Sequence, residues 1–373
     1  MRLSISQSIL DIPAEQWEHI AGGSSPFIEY PFLASLEESG SVGPQTGWVP
    51  NYVLAWEDEQ LVGALPTWIK SHSYGEYIFD WAWADGAARA GIVYYPKMVV
   101  AIPFTPATDA RILLSADAPP ETSERLLRTA RSDAEERGLS SIHWLFTQPG
   151  EQVTLAEHGH ILRETVQFHW RNRDWGCFED YLASMRGKRR REIRRERRRV
   201  RDAGCSVEML SGPELGDEEW TAIDRFYRDT AAKKRGQPYL SPSFFPTLRE
   251  RFPESVRFAA ARCDDELVGG ALFFERGTSL YGRYWGCDKS YRHLHFETCF
   301  YRPIEYCIER GITLYEAGAQ GQHKLPRGFQ PVGVHSAHWM ADPRLHEAVA
   351  EFCRTEKMQT DRVVQMLEPH GAF

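Results

Sequence analysis

A short polar segment in the last third of the chain, TLYEAGAQGQHKLPRGFQP, combines acid, base and cationic side chains with glycines. It contains Glu316, Gln320, His323, Lys324 and Arg327. A strand that ends in a glycine-rich loop can bring backbone N–H groups and cations close to a ligand. The segment therefore predicts a site for an anionic ligand, with groups able to move a proton. The alternative is a solvated loop with ordinary turn glycines.

Two stretches that precede this polar segment in the sequence supply further candidate site residues. The loop before a predicted helix contains His293, His295 and Glu297, and the N-terminus of such a helix favours phosphate-bearing ligands. The two histidines lack a third ligand, so we expect no metal.

The strand LYGRYWGC precedes that loop. Its alternation places Tyr281, Arg283 and Trp285 on one face and Gly282, Tyr284 and Gly286 on the other. Glycines on one face allow a ligand or backbone to approach closely, whereas aromatic packing in a sheet is the simpler alternative. Arg283 is harder to explain as a residue of the hydrophobic core, and its guanidinium group could bind a carboxylate or phosphate of a ligand.

A basic segment lies near the middle of the chain. Between Lys188 and Arg201 there are ten basic and two acidic residues, although the whole chain has a net charge of -8. On a helix, Ile193 and Val200 form one thin apolar stripe, and arginines cover the rest. The segment predicts an anion-binding face, which we assign to Arg194, Arg195, Arg198 and Arg199. Its partner could be tRNA phosphates, a polyprenyl or nucleotide pyrophosphate, or an acidic membrane surface; a merely solvated helix is the alternative.

Composition narrows the class of protein. Of the 373 residues, 42% are hydrophobic, which excludes a chain that is disordered throughout. Domains usually contain roughly 100–200 residues, so two domains are expected. Apolar stretches are far shorter than the roughly 20 residues that span a bilayer, so we expect no membrane span. The seven cysteines are scattered and never spaced CxxC. This pattern argues against a zinc cluster or a disulfide framework, and we expect a cytoplasmic protein.

The chain contains an internal repeat. PFIEYPFLASLEE parallels PYLSPSFFPTLRE, AWEDEQLVGAL parallels ARCDDELVGGAL, and ERGL parallels ERGI, in the same order. Three matches in order predict two copies of one domain. We place them at residues 1–165 and 166–373, the second containing an arginine-rich helix at 186–203.

Each copy predicts the same succession of elements. Hairpins are expected at 52–56 with 61–69 and at 256–262 with 267–274, each around an acidic turn. In the second copy a strand at 280–287, a helix ending at Gly311 with Pro303 inside it, and a strand at 312–316 follow. In the first copy a helix at 122–137 precedes a strand at 139–146. A last helix begins at Pro343, with Asp342 as its cap.

Three stretches carry a resemblance to a known family. They are QFHWRNRDWGCFEDYLASMRGKRRREIRRERRRV, YPKMVVAIPFTP and HFETCFYRPIEYCIERGITLYEAGAQGQHKLPRGFQPVGVHSAHW. The chain resembles the Fem-like transferases, which attach amino acids to peptidoglycan precursors, and is most similar to the FemAB-like family filed under peptidoglycan biosynthesis or recognition. The resemblance implies an α/β (α+β) fold class: two tandem GNAT-like domains (acyl-CoA N-acyltransferase type), each with a mixed, mostly antiparallel sheet flanked by helices.

The resemblance also implies a reaction, the formation of an amide from an ester or thioester. The attacking amine must lose a proton and the developing oxyanion must be stabilised. Lys324 is our candidate for the cation that stabilises the oxyanion or the donor phosphate, since Fem-like enzymes have a lysine just before a glycine–aromatic pair, here Gly328 and Phe329. Glu316 or His323 would take the amine proton, and Tyr284 is a candidate proton donor. Donor or substrate contacts are assigned to Arg283, Trp285, His293, His295, Glu297, Gln320, Arg327 and Phe329.

Within this interpretation the second copy is catalytic, and the first copy, with few groups suited to chemistry, lies on the acceptor side. The co-substrate is acyl-CoA or aminoacyl-tRNA, with no tightly bound cofactor, and the acceptor is an amine on a small molecule or peptide. A tRNA donor would use the arginine-rich helix. The alternative is a non-catalytic module that recognises an anionic cell-wall precursor, lipid or RNA. The oligomeric state is left open.

Overall fold

A computed structural model describes residues 1–23, 25–233, 236–289, 291–319, 321–367 and 371–373. Gln320, one of the predicted site residues, lies outside these ranges. No helix in the part of the chain described is both long and apolar enough to cross a membrane.

Internal contacts divide the chain into two compact units. The first consists of residues 1–166 and 333–363, and the second of residues 167–332 and 364–373. The first boundary falls close to the expected one. The division nevertheless differs from two contiguous halves, because residues 333–363 return to the first unit. The physical reason is strand pairing, described below, between the last strand and a strand of the first unit.

The elements of the first 160 residues begin with short strands and helices. The strands are β1 (Arg2–Ser6), β2 (Trp48–Pro50), β3 (Tyr52–Glu57), β4 (Gln60–Leu65), β5 (Thr67–Lys70), β6 (Lys97–Val100), β7 (Leu113–Leu114) and β8 (Ser141–Thr147). The helices are α1 (Ala14–Ala21), α2 (Tyr30–Glu38), α3 (Trp81–Arg89), α4 (Thr122–Glu136) and α5 (Glu151–Glu157).

The remaining elements follow in chain order. The strands are β9 (Ile161–Arg171), β10 (Cys205–Ser211), β11 (Val256–Cys263), β12 (Glu266–Arg276), β13 (Ser279–Cys287), β14 (Leu314–Glu316) and β15 (Gln330–Met340). The helices are α6 (Phe178–Ala183), α7 (Gly187–Asp202), α8 (Asp217–Lys233), α9 (Phe244–Arg251), α10 (Leu294–Phe296), α11 (Arg302–Glu309) and α12 (Pro343–Leu367). A π-helical segment (Glu297–Tyr301) joins α10 to α11, and a 3-10 segment (Gln322–Arg327) precedes β15.

The first unit contains one sheet of order β1-β3-β4-β7 and a second series of paired strands, β15-β8-β6-β5-β2. The residues of β15 that pair with β8 are His335–Met340, and all seven residues of β8 are buried. α12 also packs in this unit, where Leu345, Val349 and Cys353 contact the apolar side of α3.

The second unit is built on strands in the order β10-β11-β12-β13-β14-β9. All neighbours are antiparallel except β13 and β14, which run parallel. Helix α8 lies directly on this sheet at Gly286, where a Cβ atom would come within 2.4 Å of the Phe226 carbonyl oxygen. The sequence left open whether a ligand or another part of the backbone approaches this glycine. The structure shows that the backbone of α8 does.

The repeated segments occupy equivalent elements. Both hairpins, β3–β4 and β11–β12, turn through residues with positive φ, at Asp58 and at Asp264 and Asp265. PFIEYPFLASLEE contributes α2 and PYLSPSFFPTLRE contributes α9. The hairpin β11–β12 and the helix–strand pairs α4–β8 and α11–β14 are confirmed to within a few residues. The strand predicted at 61–69 is wrong in its extent: it is divided at Pro66 into β4, which pairs with β3, and β5, which pairs with β2 and β6 in the other series of strands.

The helix predicted around Pro303 is helical throughout but changes its hydrogen-bond pattern. Proline has no N–H group, so the carbonyl oxygen of Cys299 lacks the donor that an α-helix would supply. The Tyr315 hydroxyl of β14 donates to this oxygen instead. The α-helix α11 therefore begins at Arg302, directly after the π-helical segment, and Pro303 lies in its first turn.

The expectation about the cysteines is wrong for one pair. Cys205 of β10 and Cys263 of β11 face each other in the antiparallel register and form a disulfide. They are 58 residues apart in sequence, so their adjacency depends on strand pairing that their spacing does not reveal. The other five cysteines are unpaired thiols.

Candidate active site

The predicted polar segment begins where two parallel strands separate. Tyr281 of β13 and Glu316 of β14 are the last facing pair. Beyond them, a bulge opposite Leu272 and Phe273 makes Arg283 an extra residue in β13. This bulge breaks the simple alternation expected for the strand. A Cβ atom at Gly282 would lie 3.4 Å from Ala317, so the backbone of β13 and the backbone that follows β14 remain close at this point.

Lys324 lies at the centre of the segment. Its Nζ atom donates a 2.6 Å hydrogen bond to the carbonyl oxygen of Gly318, and the residue is only 2% exposed. Burial lowers the pKa of Lys324 from 10.5 to about 8, because the charged form loses hydration. Lys324 is therefore a buried cation at neutral pH that gives up its proton more readily than an ordinary lysine.

Glu316 faces a histidine that the sequence reasoning missed. His169 of β9 lies opposite Glu316 in the register, with 4.0 Å between its Nδ1 atom and the Glu316 Oε1 atom. Burial, followed by the charges of Arg171 and Lys324, lowers the pKa of His169 to about 4. The imidazole is thus neutral at pH 7, and the contact is not an ion pair.

His323 lies at the exposed side of the same segment. Its ring contacts the rings of His295 and Phe300, at centroid distances of 6.0 and 5.5 Å. Burial and the charges of Lys324 and Arg327 lower its pKa from 6.5. A neutral imidazole of this kind can accept a proton. His323 and Lys324 are thus adjacent in the 3-10 segment, and Glu316 is the last residue of β14.

Arg327 is used within the fold. Its guanidinium donates to Glu196 of α7 at 2.9 Å, to the Tyr301 hydroxyl at 2.9 Å and to the His323 carbonyl at 2.7 Å. It also lies 3.5 Å from the centre of the Phe296 ring. We therefore withdraw the donor-binding role predicted for this arginine.

Glu297 and Phe329 are also used internally. Glu297 forms an ion pair of 2.8 Å with Arg197 of α7, and burial raises its pKa. Phe329 is 1% exposed and packs against Phe300 and the aromatic ring of Tyr315. Neither side chain keeps its predicted role in donor contact.

The aromatic residues of β13 face opposite ways. Tyr284 contacts Tyr227 of α8 and Phe245 of α9, with ring centroids 4.6 and 6.3 Å away. Trp285 contacts His295 on the other face, with centroids 5.3 Å apart. The predicted proton donor Tyr284 is thus directed to the helices α8 and α9, whereas Trp285 and His295 lie on the side of His323.

Arg283 and His293 complete the predicted set. The Arg283 guanidinium lies 5.4 Å from the centre of the Tyr284 ring. His293 has φ of +69° at the start of α10, and it lies 3.7 Å from Glu196 and 3.3 Å from Arg199. Burial lowers the pKa of His293. These residues remain candidates for substrate contact.

Helix α7 has two chemically different faces. Ile193, Glu196 and Val200 are buried, so Glu196 joins the expected apolar stripe. The outer face is basic: Arg194 pairs with Glu179 at 2.5 Å, whereas exposed Arg195 and Arg198 form no ion pair with any residue in the described ranges. The outer face thus offers cations for an external anion.

The first unit contains a charge cluster that the sequence reasoning also missed. The Lys97 amino group donates to Glu76 at 2.9 Å and to Asp80. Lys70 lies 3.6 Å from the centre of the Trp48 ring, and burial lowers its pKa to about 7. All four charged residues are buried, and the two lysines pair with the two carboxylates within this unit.

Comparisons with known proteins agree with this architecture. The model of the FemAB-like family, described as peptidoglycan biosynthesis/recognition, matches residues 8–373, and the chain belongs to that family. No curated protein matches the chain.

Solved structures show the same fold. FemX is 12% identical, with a TM-score of 0.55 over 94% of this chain and 100% of FemX. L-PGS from Bacillus licheniformis is 12% identical, with a TM-score of 0.50 over 86% of this chain and 95% of that one. A conserved protein of unknown function from Bacteroides thetaiotaomicron is 10% identical, with a TM-score of 0.52 over 90% and 99% of the chains. The predicted Fem-like family and tandem, mostly antiparallel fold class are confirmed.

Proposed function

We propose that the protein transfers an acyl or aminoacyl group from a carrier to an amine and so forms an amide, with the chemistry in the second unit. The observation that carries this proposal is the buried ammonium group of Lys324, held at the end of β14 with a pKa of about 8. A cation away from water interacts strongly with negative charge that develops in a transition state. The family's description and the fold shared with FemX support the same class of reaction.

The reaction follows from the groups present. The amine nitrogen attacks the carbonyl carbon of an ester or thioester, and the carbonyl oxygen gains negative charge. Lys324 stabilises this oxyanion with an N–H donor, since the ammonium group has three donors and Gly318 accepts from one. Glu316 or His323 accepts the amine proton. The bond from carbon to the carrier's oxygen or sulfur then breaks, and the carrier leaves with the proton that Glu316 or His323 had accepted.

The carrier is aminoacyl-tRNA or acyl-CoA. The outer face of α7, with Arg195 and Arg198 exposed, supports a donor that carries many phosphates. This favours aminoacyl-tRNA, whereas acyl-CoA remains the other donor of the same chemistry. Both carriers occur in the cytoplasm, where we expect the protein to act on a peptide or small-molecule amine.

The test is a transfer assay with a panel of charged tRNAs and acyl-CoAs and a panel of amines. We expect release of free tRNA or thiol that depends on the amine, and a fall of about 100-fold or more in the Lys324→Ala variant. Lys289→Ala is the matched control, because Lys289 is an exposed lysine of the same unit. Binding of a donor without turnover, or loss of no more than about twofold in Lys324→Ala, would show a recognition module or another catalytic group.

A further inference from the structure

One acidic residue of the basic helix α7 is turned towards the interior. Glu192 is half-exposed and pairs with Arg189 of the same helix at 3.1 Å. Glu196 is 4% exposed and pairs with no arginine of its own helix in the described part of the chain. A buried carboxylate needs partners to offset its lost hydration, so the groups that Glu196 contacts are significant.

Glu196 contacts three groups outside its own helix. Its Oε2 atom accepts hydrogen bonds from the Arg327 guanidinium, at 2.9 Å, and from the Tyr301 hydroxyl. Its Oε1 atom lies 3.7 Å from Nδ1 of His293. These contacts join α7 to the π-helical segment and to the 3-10 segment that contains Lys324.

Arg327 extends the connection to the main chain of the 3-10 segment. It donates to the carbonyl oxygen of His323, the residue directly before Lys324. The main chain on the other side is fixed by the Tyr181 hydroxyl, which donates to the Arg327 carbonyl oxygen at 2.6 Å. The backbone that carries Lys324 is therefore held from both ends, and one of the two attachments depends on Glu196.

We propose that Glu196 is a positioning residue: through Arg327 it holds the segment Gln322–Arg327 so that the Lys324 amino group points to Gly318. The residue does not touch the reacting atoms and acts through the placement of Lys324. Its predicted effect on turnover rests on the proposed function, whereas its effect on the 3-10 segment does not.

Hydrogen–deuterium exchange of the full chain tests the placement. The amides of Lys324, Gly328 and Phe329 report on the segment, because they are bonded to the carbonyl oxygens of Gly321, Leu325 and Lys324. Loss of a charge-assisted hydrogen bond should speed their exchange about tenfold in Glu196→Gln. The control is Glu192→Gln, which removes the same charge from the same helix and should leave these amides unchanged.

Arg327→Lys is a second test variant, which can be measured if Glu196→Gln does not fold. It keeps the positive charge but loses the planar fork that joins Glu196, Tyr301 and His323, and should loosen the same three amides. In the transfer assay, Glu196→Gln should lower kcat about tenfold and change KM less than about twofold, because the group lost acts on the placement of the catalytic cation.

The two proposals fail in different ways. Unchanged exchange in both Glu196→Gln and Arg327→Lys, in folded protein, would overturn the positioning role whatever the activity. Faster exchange with full transfer activity would also overturn it, because Lys324 would then be correctly placed without Glu196. Absence of transfer by the unmodified protein would remove the proposed function, while the exchange result would still decide whether Glu196 orders the segment.

Discussion

The Nζ atom of Lys324 and the carbonyl oxygen of Gly318 lie 2.6 Å apart, within a bend that the chain makes after β14. Gly318 has φ of +79°, a conformation that favours glycine, and this turns its carbonyl into the bend. The ammonium group is thus fixed at the end of a strand. Its shifted pKa makes the proposed chemistry sensitive to pH in a range that can be measured.

The pH dependence of transfer should show the titration of Lys324. Its pKa of about 8 lies below the ordinary 10.5, so the cation is present below pH 8 and is lost as the pH rises through that value. If the cation stabilises the oxyanion, the rate of the chemical step falls above pH 8. Single-turnover rates measured across this range provide the check.

Lys324→Arg is the control for this experiment. Arginine remains charged throughout this pH range. The amine acceptor titrates equally in both assays, so its effect cancels in the ratio of the rate of the unmodified enzyme to the rate of Lys324→Arg. A ratio that rises through pH 8 in favour of the lysine enzyme would instead identify Lys324 as a base.

The outer face of α7 should bind a polyanion. The double variant Arg195→Gln/Arg198→Gln removes two exposed cations. It should weaken binding of a fluorescent tRNA and reduce the slope of log K against log salt by about 1.4 to 1.8, since each phosphate contact contributes roughly 0.7 to 0.9.

The matched comparison is Arg225→Gln/Arg249→Gln. These two arginines lie on α8 and α9 and are already paired with Asp288 and Asp217. Equal losses in the two double variants would mean that the α7 face has no special role in tRNA binding.

Gly286→Ala should destabilise the second unit. The new Cβ would lie 2.4 Å from the Phe226 carbonyl oxygen, so α8 must move away from β13. Such overpacking costs about 1–3 kcal/mol, to be measured by urea unfolding monitored with circular dichroism. Gly86→Ala in α3 is the control: its site is open, and alanine there should stabilise the helix by about 0.5–1 kcal/mol. An unchanged midpoint for Gly286→Ala would show that α8 does not pack so closely.

Tyr315→Phe should lower stability without changing packing volume. It leaves the Cys299 carbonyl without the donor that replaces the missing N–H of Pro303. An unsatisfied buried acceptor costs about 1–3 kcal/mol in the same unfolding measurement. Tyr291→Phe is the comparison, because no described residue bonds to that hydroxyl. Equal effects of the two substitutions would contradict the role given to the Tyr315 hydroxyl.

The disulfide predicts a thiol count. Unfolded, unreduced protein should react with a thiol reagent at five cysteines, compared with seven after reduction. Cys205→Ser should raise the count before reduction by one, although a cysteine has been removed, because Cys263 is released. Seven reactive thiols before reduction would mean that Cys205 and Cys263 remain reduced.

Local patterns predicted the elements well. The acidic turns at Asp58 and Asp264 specify hairpins, and Gly311, with φ of +66°, ends the helix as expected. The polar segment around Lys324 was found because its residues are close in sequence. Such signals depend on neighbours along the chain, and the fold class follows from their order.

Contacts between distant residues could not be predicted in this way. Glu196 and Arg327 are 131 residues apart, and nothing along α7 distinguishes Glu196 from Glu192. His169 was contained in the quoted junction segment QFHW, but only the pairing of β9 with β14 brings it to Glu316. For the same reason Arg327 seemed free to bind a donor, whereas a partner from another helix already holds it.

The return of residues 333–363 to the first unit has a consequence for biosynthesis. Until these residues leave the ribosome, the nascent first unit lacks the strand that pairs with β8 and exposes an apolar strand edge, which is prone to aggregate. Folding of the part made first must therefore wait for the part made last, and chaperones have a long interval in which to act. Expression of residues 1–166 alone should give insoluble material.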